Sequence, residues 1–250
     1  MTKNKVIAIL ILSLISLSGC ATVYNPATER KEFHFFDTKD EIELGNHLAG
    51  EVEHKYSLYH NSRSSLRIDA IGQKLAKVCD WQDMPYEFKV VDSDELNAFT
   101  IVGGKVYITR AIIDFCSSDD ELAGILAHEI GHNVARHQVK ALEAQLGFGL
   151  LSSLIFSDGK KQNAVRIVNT VYNLINLGYS RGDEFLADRL AVEYTYKAGY
   201  DPKAFIGFFE KLKRKKGELL GYLAFLNSHP PFSQRIEAIR KEIDLLGKEK

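Results

Sequence analysis

The apolar positions divide the chain into stretches of different period. Residues 21–38 (ATVYNPATERKEFHFFDT) keep no sustained period and read as a tether. From Asp40 to about Tyr59 apolar residues recur at helical spacing (Ile42, Leu44, Leu48, Val52, Tyr56, Tyr59), and a second such stretch runs from about Ser65 to Val78. Both predict helices packed against a core. EFKVVD (Glu87–Asp92) and Ala98–Val102 are short β-rich runs, and GGKVYITR (Gly103–Arg110) reads as a tight glycine turn entering another strand, so a small sheet is predicted here.

Ser118 followed by Glu121 makes a capping-box pattern, and the apolar periodicity that starts at Leu122 continues to about Leu146, predicting one long helix. Gly147–Phe156 is almost wholly apolar, SDGKKQN (residues 157–163) reads as a polar turn, and Ala164–Leu177 regains helical spacing. That hairpin reads either as ordinary core helices or as a face turned to a membrane or substrate. Further helices are predicted over 183–198, 202–216 and 233–246, the last with Ile236, Ile239, Ile243 and Leu246 on one stripe. The fold class expected is α+β, mainly helical, with a small sheet beside the central helix.

At 250 residues and 45% hydrophobic content the chain can bury one proper core, placed at residues 39–250. A formal charge of −1 speaks against nucleic acid as a partner. KLKRKKG (Lys211–Gly217) reads as the solvated carboxyl end of a helix started by Asp201 and Pro202, or as a contact with anionic lipid. At the front, Lys3 and Lys5 precede the apolar run Val6–Leu17, a charged region followed by a short hydrophobic one, as in a secretory signal over residues 1–19. The run falls short of the roughly 20 residues that a membrane span needs. Its end, LSGC (Leu17–Cys20), resembles a bacterial lipobox, which implies cleavage before Cys20 and lipid attachment to it, with residues 20–38 as lipidated cysteine and tether. Whether Cys79 and Cys116 pair is left open.

The candidate chemistry lies in LAHEIGHNVARH (residues 126–137). His128 and His132 are one helical turn apart on one face, close enough to share an ion, and Glu129 can reach the same pocket. Two imidazoles need at least one more protein ligand, and a corner left for water makes such a zinc catalytic. In SRGDEFLADRLAVEY (Ser180–Tyr194), Glu184 and Asp188 are again four apart: Glu184 could complete a His2Glu site and Asp188 could fix a histidine tautomer, or the pair is a solvated acidic face beside Arg181 and Arg189. Gly131 in mid-helix implies a close approach of another backbone or of substrate. His137 reads as a surface residue one turn beyond the site. His34, His47, His54 and His60 are scattered and read as non-ligands.

Four blocks in order, NAFTIVGGKVYITR, HEIGHNVARH, SRGDEFLADRLAVEY and SHPPFSQRI, resemble the HtpX-like and CAAX-prenyl-protease-like zinc metallopeptidases (gluzincins), and within them a small bacterial lipoprotein branch. The resemblance covers nearly all of residues 40–245 and implies a zincin-like fold holding one Zn2+ per chain. Carried over residue by residue, it makes His128, His132 and Glu184 the metal ligands, Glu129 the general base, and Asp188 the carboxylate behind a ligand. It places His229 and Arg235 near the metal, the histidine either in the open coordination site or helping to hold the transition state. The region around β-rich NAFTIVGG is implied to be an edge strand along which an extended substrate can pair. Asn97, Ala98, Phe99, Gly103 and Gly104 are therefore candidate substrate contacts or, equally, plain sheet residues. Val102 stands where the family often has proline, which leaves the turn less rigid.

The function expected from this reading is a lipid-anchored, periplasm-facing zinc endopeptidase of the bacterial cell envelope, acting on unfolded or misassembled envelope proteins. Ala21 after Cys20 resembles lipoproteins sorted to an outer membrane. The rival expectation is a zinc-holding lipoprotein that binds or escorts such proteins with little turnover, its site shut by His229. No repeat-built recruitment domain is expected after the final helix.

Overall fold

A computed structural model of the chain describes residues 21–35, 37–155, 169, 171, 173, 175, 178–215, 229 and 232–248. The predicted signal, Cys20, the polar turn at 157–163 and most of 164–177 lie outside the described residues. Five strands, β1 (Ala21–Asn25), β2 (Arg30–His34), β3 (Glu87–Val91), β4 (Ala98–Ile101) and β5 (Lys105–Thr109), accompany eight described helices. These are α1 (Thr38–Lys55), α2 (Ser62–Ala76), α3 (Arg110–Phe115), α4 (Asp119–Val134), α5 (His137–Ile155), α6 (Arg181–Lys197), α7 (Lys203–Arg214) and α8 (Phe232–Leu246). The architecture is α+β and mainly helical, as the sequence led us to expect. Among the described residues no helix is long and apolar enough to cross a membrane.

The three-stranded sheet has the order β3-β5-β4, with β3 parallel and β4 antiparallel to β5. All five residues of β5 are buried because helices cover both faces. Val106 and Ile108 point into a core shared with α2, α4, α6 and α7, whereas Tyr107 points the other way, among Leu44, Leu48 and Val52 of α1 and Leu142 of α5. Gly103 and Gly104 turn β4 into β5 with φ of 79° and 75°, a conformation that only glycine adopts freely. The turn is held down at both ends: a Cβ on Gly103 would sit 2.8 Å from the Glu41 carbonyl oxygen, and the Gly104 N–H donates to Asn133 Oδ1 at 3.1 Å.

Two expectations are corrected. Residues 21–38 are not a plain tether: β1 and β2 form an antiparallel hairpin docked on the body. Within the two strands Asn25 and His34 are buried, Asn25 donating to the Ala135 carbonyl at 3.1 Å and His34 meeting Glu143 at 3.0 Å, with Ala27 buried at the turn, while Tyr24 and Phe33 are exposed. Polar residues face in and aromatics face out, the reverse of the alternation that reveals a strand. The predicted single helix to Leu146 is likewise two. Arg136, at φ 58°, breaks it, and its buried guanidinium pairs with Glu41, donates to Thr38 Oγ1 at 3.1 Å and stacks over Trp81 at 4.3 Å. A residue held that firmly can occupy the left-handed region without being glycine, so the sequence carries no visible stop.

Smaller details also resolve. Cys79 and Cys116 are free thiols. The basic run on α7 is only partly solvated, because the Lys211 ammonium donates to the Phe115 carbonyl and to Glu121, each at 2.7 Å. Pro202 is the N-cap of α7 and makes no side-chain cap, but Asp201 just before it accepts the Lys203 N–H at 2.9 Å.

Candidate metal centre

α4 is the most enclosed helix, buried from Glu121 through Val134. Ser118 caps it by accepting the Glu121 N–H at 3.2 Å, while the Glu121 carboxylate reaches back one residue further than a capping box requires, to the Ser117 N–H at 2.7 Å. α6 lies against it and starts with a complete capping box between Ser180 and Asp183. The close approach inferred for Gly131 is that of α6: a Cβ there would stand 3.0 Å from the Ala187 carbonyl oxygen and 3.2 Å from its Cα. Gly131→Ala should gain about 1 kcal/mol of helix propensity and lose more by forcing two helices apart, overpacking costing about 1–3 kcal/mol. We expect a net loss of stability in chemical denaturation, with a weaker hold on zinc because α6 carries Glu184; an unchanged midpoint would contradict this packing.

The helix pair brings four side chains together from three places in the chain. His128, His132, Glu184 and His229 are all buried, and one potential ligand atom from each lies within 4.8 Å of all the others. The two Nε2 atoms of His128 and His132 are 3.0 Å apart, His132 Nε2 is 3.3 Å from Glu184 Oε1, and His128 Nε2 is 3.6 Å from Glu184 Oε2. His229 Nδ1 adds edges of 3.4 Å to His128 Nε2 and 3.2 Å to Glu184 Oε1. A tetrahedral zinc with bonds of about 2.0–2.1 Å sets its ligand atoms about 3.3 Å apart.

The proton positions argue the same way. His128 Nδ1 lies 2.9 Å from Asp188 Oδ1, so its N–H points there and its Nε2 presents a lone pair to the cluster. Lone pairs converging with a carboxylate suit a cation, and the residues fit a zinc. Arg235 sets the surrounding charge. Its Nε and Nη2 donate to the two oxygens of Asp188 at 2.7 and 2.6 Å, and its Nη1 meets Glu184 Oε2 at 2.6 Å. Burial alone would push both carboxyls up, but His229 and Arg235 hold Glu184 well below the usual carboxylate range and Arg235 holds Asp188 below it. Burial lowers the pKa of His128 and His132, which keeps these imidazoles neutral, the form that binds metal.

Glu129 differs from Glu184. It is 1% exposed, its Oε1 is 3.6 Å from His229 Nε2, and its Oε2 has no hydrogen-bond partner among the described residues. Burial raises its pKa against the pull of His229 and His132. A desolvated carboxylate with a spare oxygen beside a metal cluster is equipped to take and return a proton.

Of the sequence candidates, His128, His132, Glu129, Glu184, Asp188, His229 and Arg235 all meet at this centre. The substrate candidates divide. The Ala98 carbonyl is 3.4 Å from His229 Nε2, so β4 reaches the centre. Asn97 is tied to Thr109 by its backbone, Phe99 stacks on Tyr107 at 5.1 Å, and Gly103 and Gly104 form the packed turn described above. An apolar cavity lined by Leu48, Thr100, Ile101, Leu142, Val171 and Ile175 adjoins β4.

His137 is the main correction. It is 3% exposed rather than superficial, and its Nδ1 lies 2.8 Å from His132 Nδ1. In an unbroken helix, residues five apart point about 140° away from each other. The turn at Arg136 folds His137 back, so the missing stop signal also hid this contact. The Tyr179 ring, stacked on His132 with centroids 4.0 Å apart, was missed as well; it sits just before the α6 cap, where no pattern marks it.

Comparison with known proteins supplies an independent view. The model of peptidase family M48 matches residues 62–243. The chain is similar to a beta-barrel assembly-enhancing protease of Yersinia pestis, 25% identical over 209 residues that cover 80% of this chain and 43% of that protein. It is also 26% identical to the mitochondrial metalloendopeptidase OMA1 of Schizosaccharomyces pombe over 227 residues, 87% of this chain and 65% of the relative. A beta-barrel assembly-enhancing protease of Escherichia coli is 26% identical over 183 residues, 69% and 37% of the two chains. The chain thus spans less than two thirds of the length of each of these relatives.

Proposed function

Because the chain belongs to peptidase family M48, we propose that it is a zinc-dependent metalloendopeptidase of the bacterial cell envelope that cleaves unfolded or misassembled envelope proteins. The observation that carries the proposal is the meeting of His128, His132 and Glu184 with a buried, half-satisfied Glu129. Zinc held by the two imidazoles and the carboxylate would supply Lewis acidity at the scissile carbonyl. Glu129 is placed to take a proton from the attacking water and to return it to the departing nitrogen. Arg235 keeps Glu184 ionised, Asp188 orients the neutral His128 ring, and Arg235 adds positive charge where an oxyanion forms. An extended substrate pairs along β4, an edge strand of the sheet, at Ala98, whose carbonyl faces the centre.

The envelope assignment is supported by relatives whose names place them in β-barrel assembly and by the lipobox-like LSGC. Acylation of Cys20 would bring the docked hairpin to a membrane surface, periplasm-facing and on an outer membrane, with the exposed Tyr24 and Phe33 rings suited to the interface. The rival, a zinc-holding lipoprotein with little turnover, is favoured by one observation: His229 Nδ1 fills the fourth corner of the cluster, where water would act.

One assay separates the readings. Casein should be cleaved by the purified chain and spared after zinc is chelated, with cleavage restored by added zinc. His229→Ala should keep its zinc and cleave several times faster, because a corner is freed. A zinc-loaded His229→Ala chain that cleaves neither casein nor an extended peptide would favour the escort reading.

A further inference from the structure

The two α4 histidines of the centre are anchored differently. His128 Nδ1 meets a carboxylate directly, Asp188 at 2.9 Å. His132 Nδ1 meets another imidazole, His137 Nδ1 at 2.8 Å, and the far nitrogen of that ring, Nε2, lies 3.2 Å from Asp183 Oδ1. The second oxygen of Asp183 accepts the Ser180 N–H at 3.2 Å and its hydroxyl at 2.7 Å, closing the cap of α6 one residue before Glu184. His137 sits on the side of the His132 ring away from Glu184 and is not among the clustered ligand atoms.

The proton arrangement follows from these contacts. His132 can present a lone pair at Nε2 only if its proton is on Nδ1. That N–H points at His137 Nδ1, which must then be the acceptor, so the His137 proton is on Nε2 and faces the Asp183 carboxylate. The only direction in which every bond has one donor and one acceptor is His132 to His137 to Asp183.

Resting on the metal reading above, we propose that His137 is a positioning residue that fixes the metal-binding tautomer of His132, and that Asp183 fixes His137 in turn. The relay joins α4 to the capped end of α6, so the same carboxylate that holds the acceptor also starts the helix bearing the third ligand. Partners behind a metal ligand are worth about 10–100-fold in metal affinity.

The test is zinc affinity by competition with a chromophoric chelator, together with proton-detected 15N spectra of the histidine side chains in the zinc-loaded wild-type chain. His137→Leu fills the space without an acceptor and should weaken zinc binding about 10–100-fold. His137→Asn, whose amide oxygen falls near the former Nδ1, should recover most of that loss. The wild-type spectra should show His132 protonated at Nδ1 and His137 at Nε2; this reading stands even if the leucine variant does not fold. Wild-type affinity in His137→Leu, equal losses in both variants, or a His137 protonated at Nδ1 would overturn the inference. A wild-type chain that binds no zinc would instead overturn the metal reading beneath it.

Discussion

Glu129→Gln should abolish casein proteolysis while leaving bound zinc untouched. The substitution keeps the size of the side chain and removes its ability to hold a proton in transit, and positioned acid–base groups contribute about 10²–10⁴-fold to rate. Glu129 is the natural carrier. It is buried beside the cluster, burial raises its proton affinity, and its Oε2 meets no donor among the described residues. Glu184, the other buried glutamate of the centre, is committed elsewhere: its oxygens meet His132, His229 and Arg235, and its pKa is held well below normal. A zinc-loaded Glu129→Gln chain that cleaves at the wild-type rate would remove Glu129 from the mechanism.

The largest effect on stability should come from Arg235→Leu. Arg235 is 1% exposed and is the shared cation for two buried carboxylates, with contacts of 2.6–2.7 Å to Asp188 and 2.6 Å to Glu184. Removing one partner of a buried ionic group costs about 3–5 kcal/mol, because the remaining charge cannot be solvated. In a domain of this size that lowers Tm by roughly 10 °C. Arg235→Lys should fall between, since a lysine keeps the charge but cannot make the two-pronged contact to Asp188. Added zinc should recover part of the loss in Arg235→Leu by giving Glu184 a new counterion, and leave the part due to Asp188. Thermal unfolding of the metal-free and zinc-loaded chains checks both statements; a metal-free Arg235→Leu as stable as wild type would show that the carboxylates do not depend on this residue.

What could be read from the residues alone depended on whether a local rule governed them. The spacing of His128 and His132, and of Glu184 and Asp188, survives folding because each pair lies within one uninterrupted helix. Spacing left Glu184 and Asp188 open to a solvated reading, and only their burial against α4 closes it. The sheet was visible in its β-rich runs and in the Gly103–Gly104 turn. His229 and Arg235 come from far along the chain, and family resemblance, not pattern, brought them to the metal. The failures share one cause. Arg136 turns the chain in a conformation stabilised by distant Glu41, Thr38 and Trp81, and the N-terminal hairpin buries Asn25 and His34 because Ala135 and Glu143 await them. Tertiary partners decide such positions, and periodicity cannot report them.

The central claim, one zinc held between the helix α4 imidazoles and the α6 carboxylate, is tested most directly by anomalous diffraction at the zinc edge from crystals of the zinc-loaded chain. The account predicts a single peak per chain, bonded to His128 Nε2, His132 Nε2 and a Glu184 oxygen at about 2.0–2.2 Å. No peak there, or a peak that leaves Glu184 unbound, would contradict it.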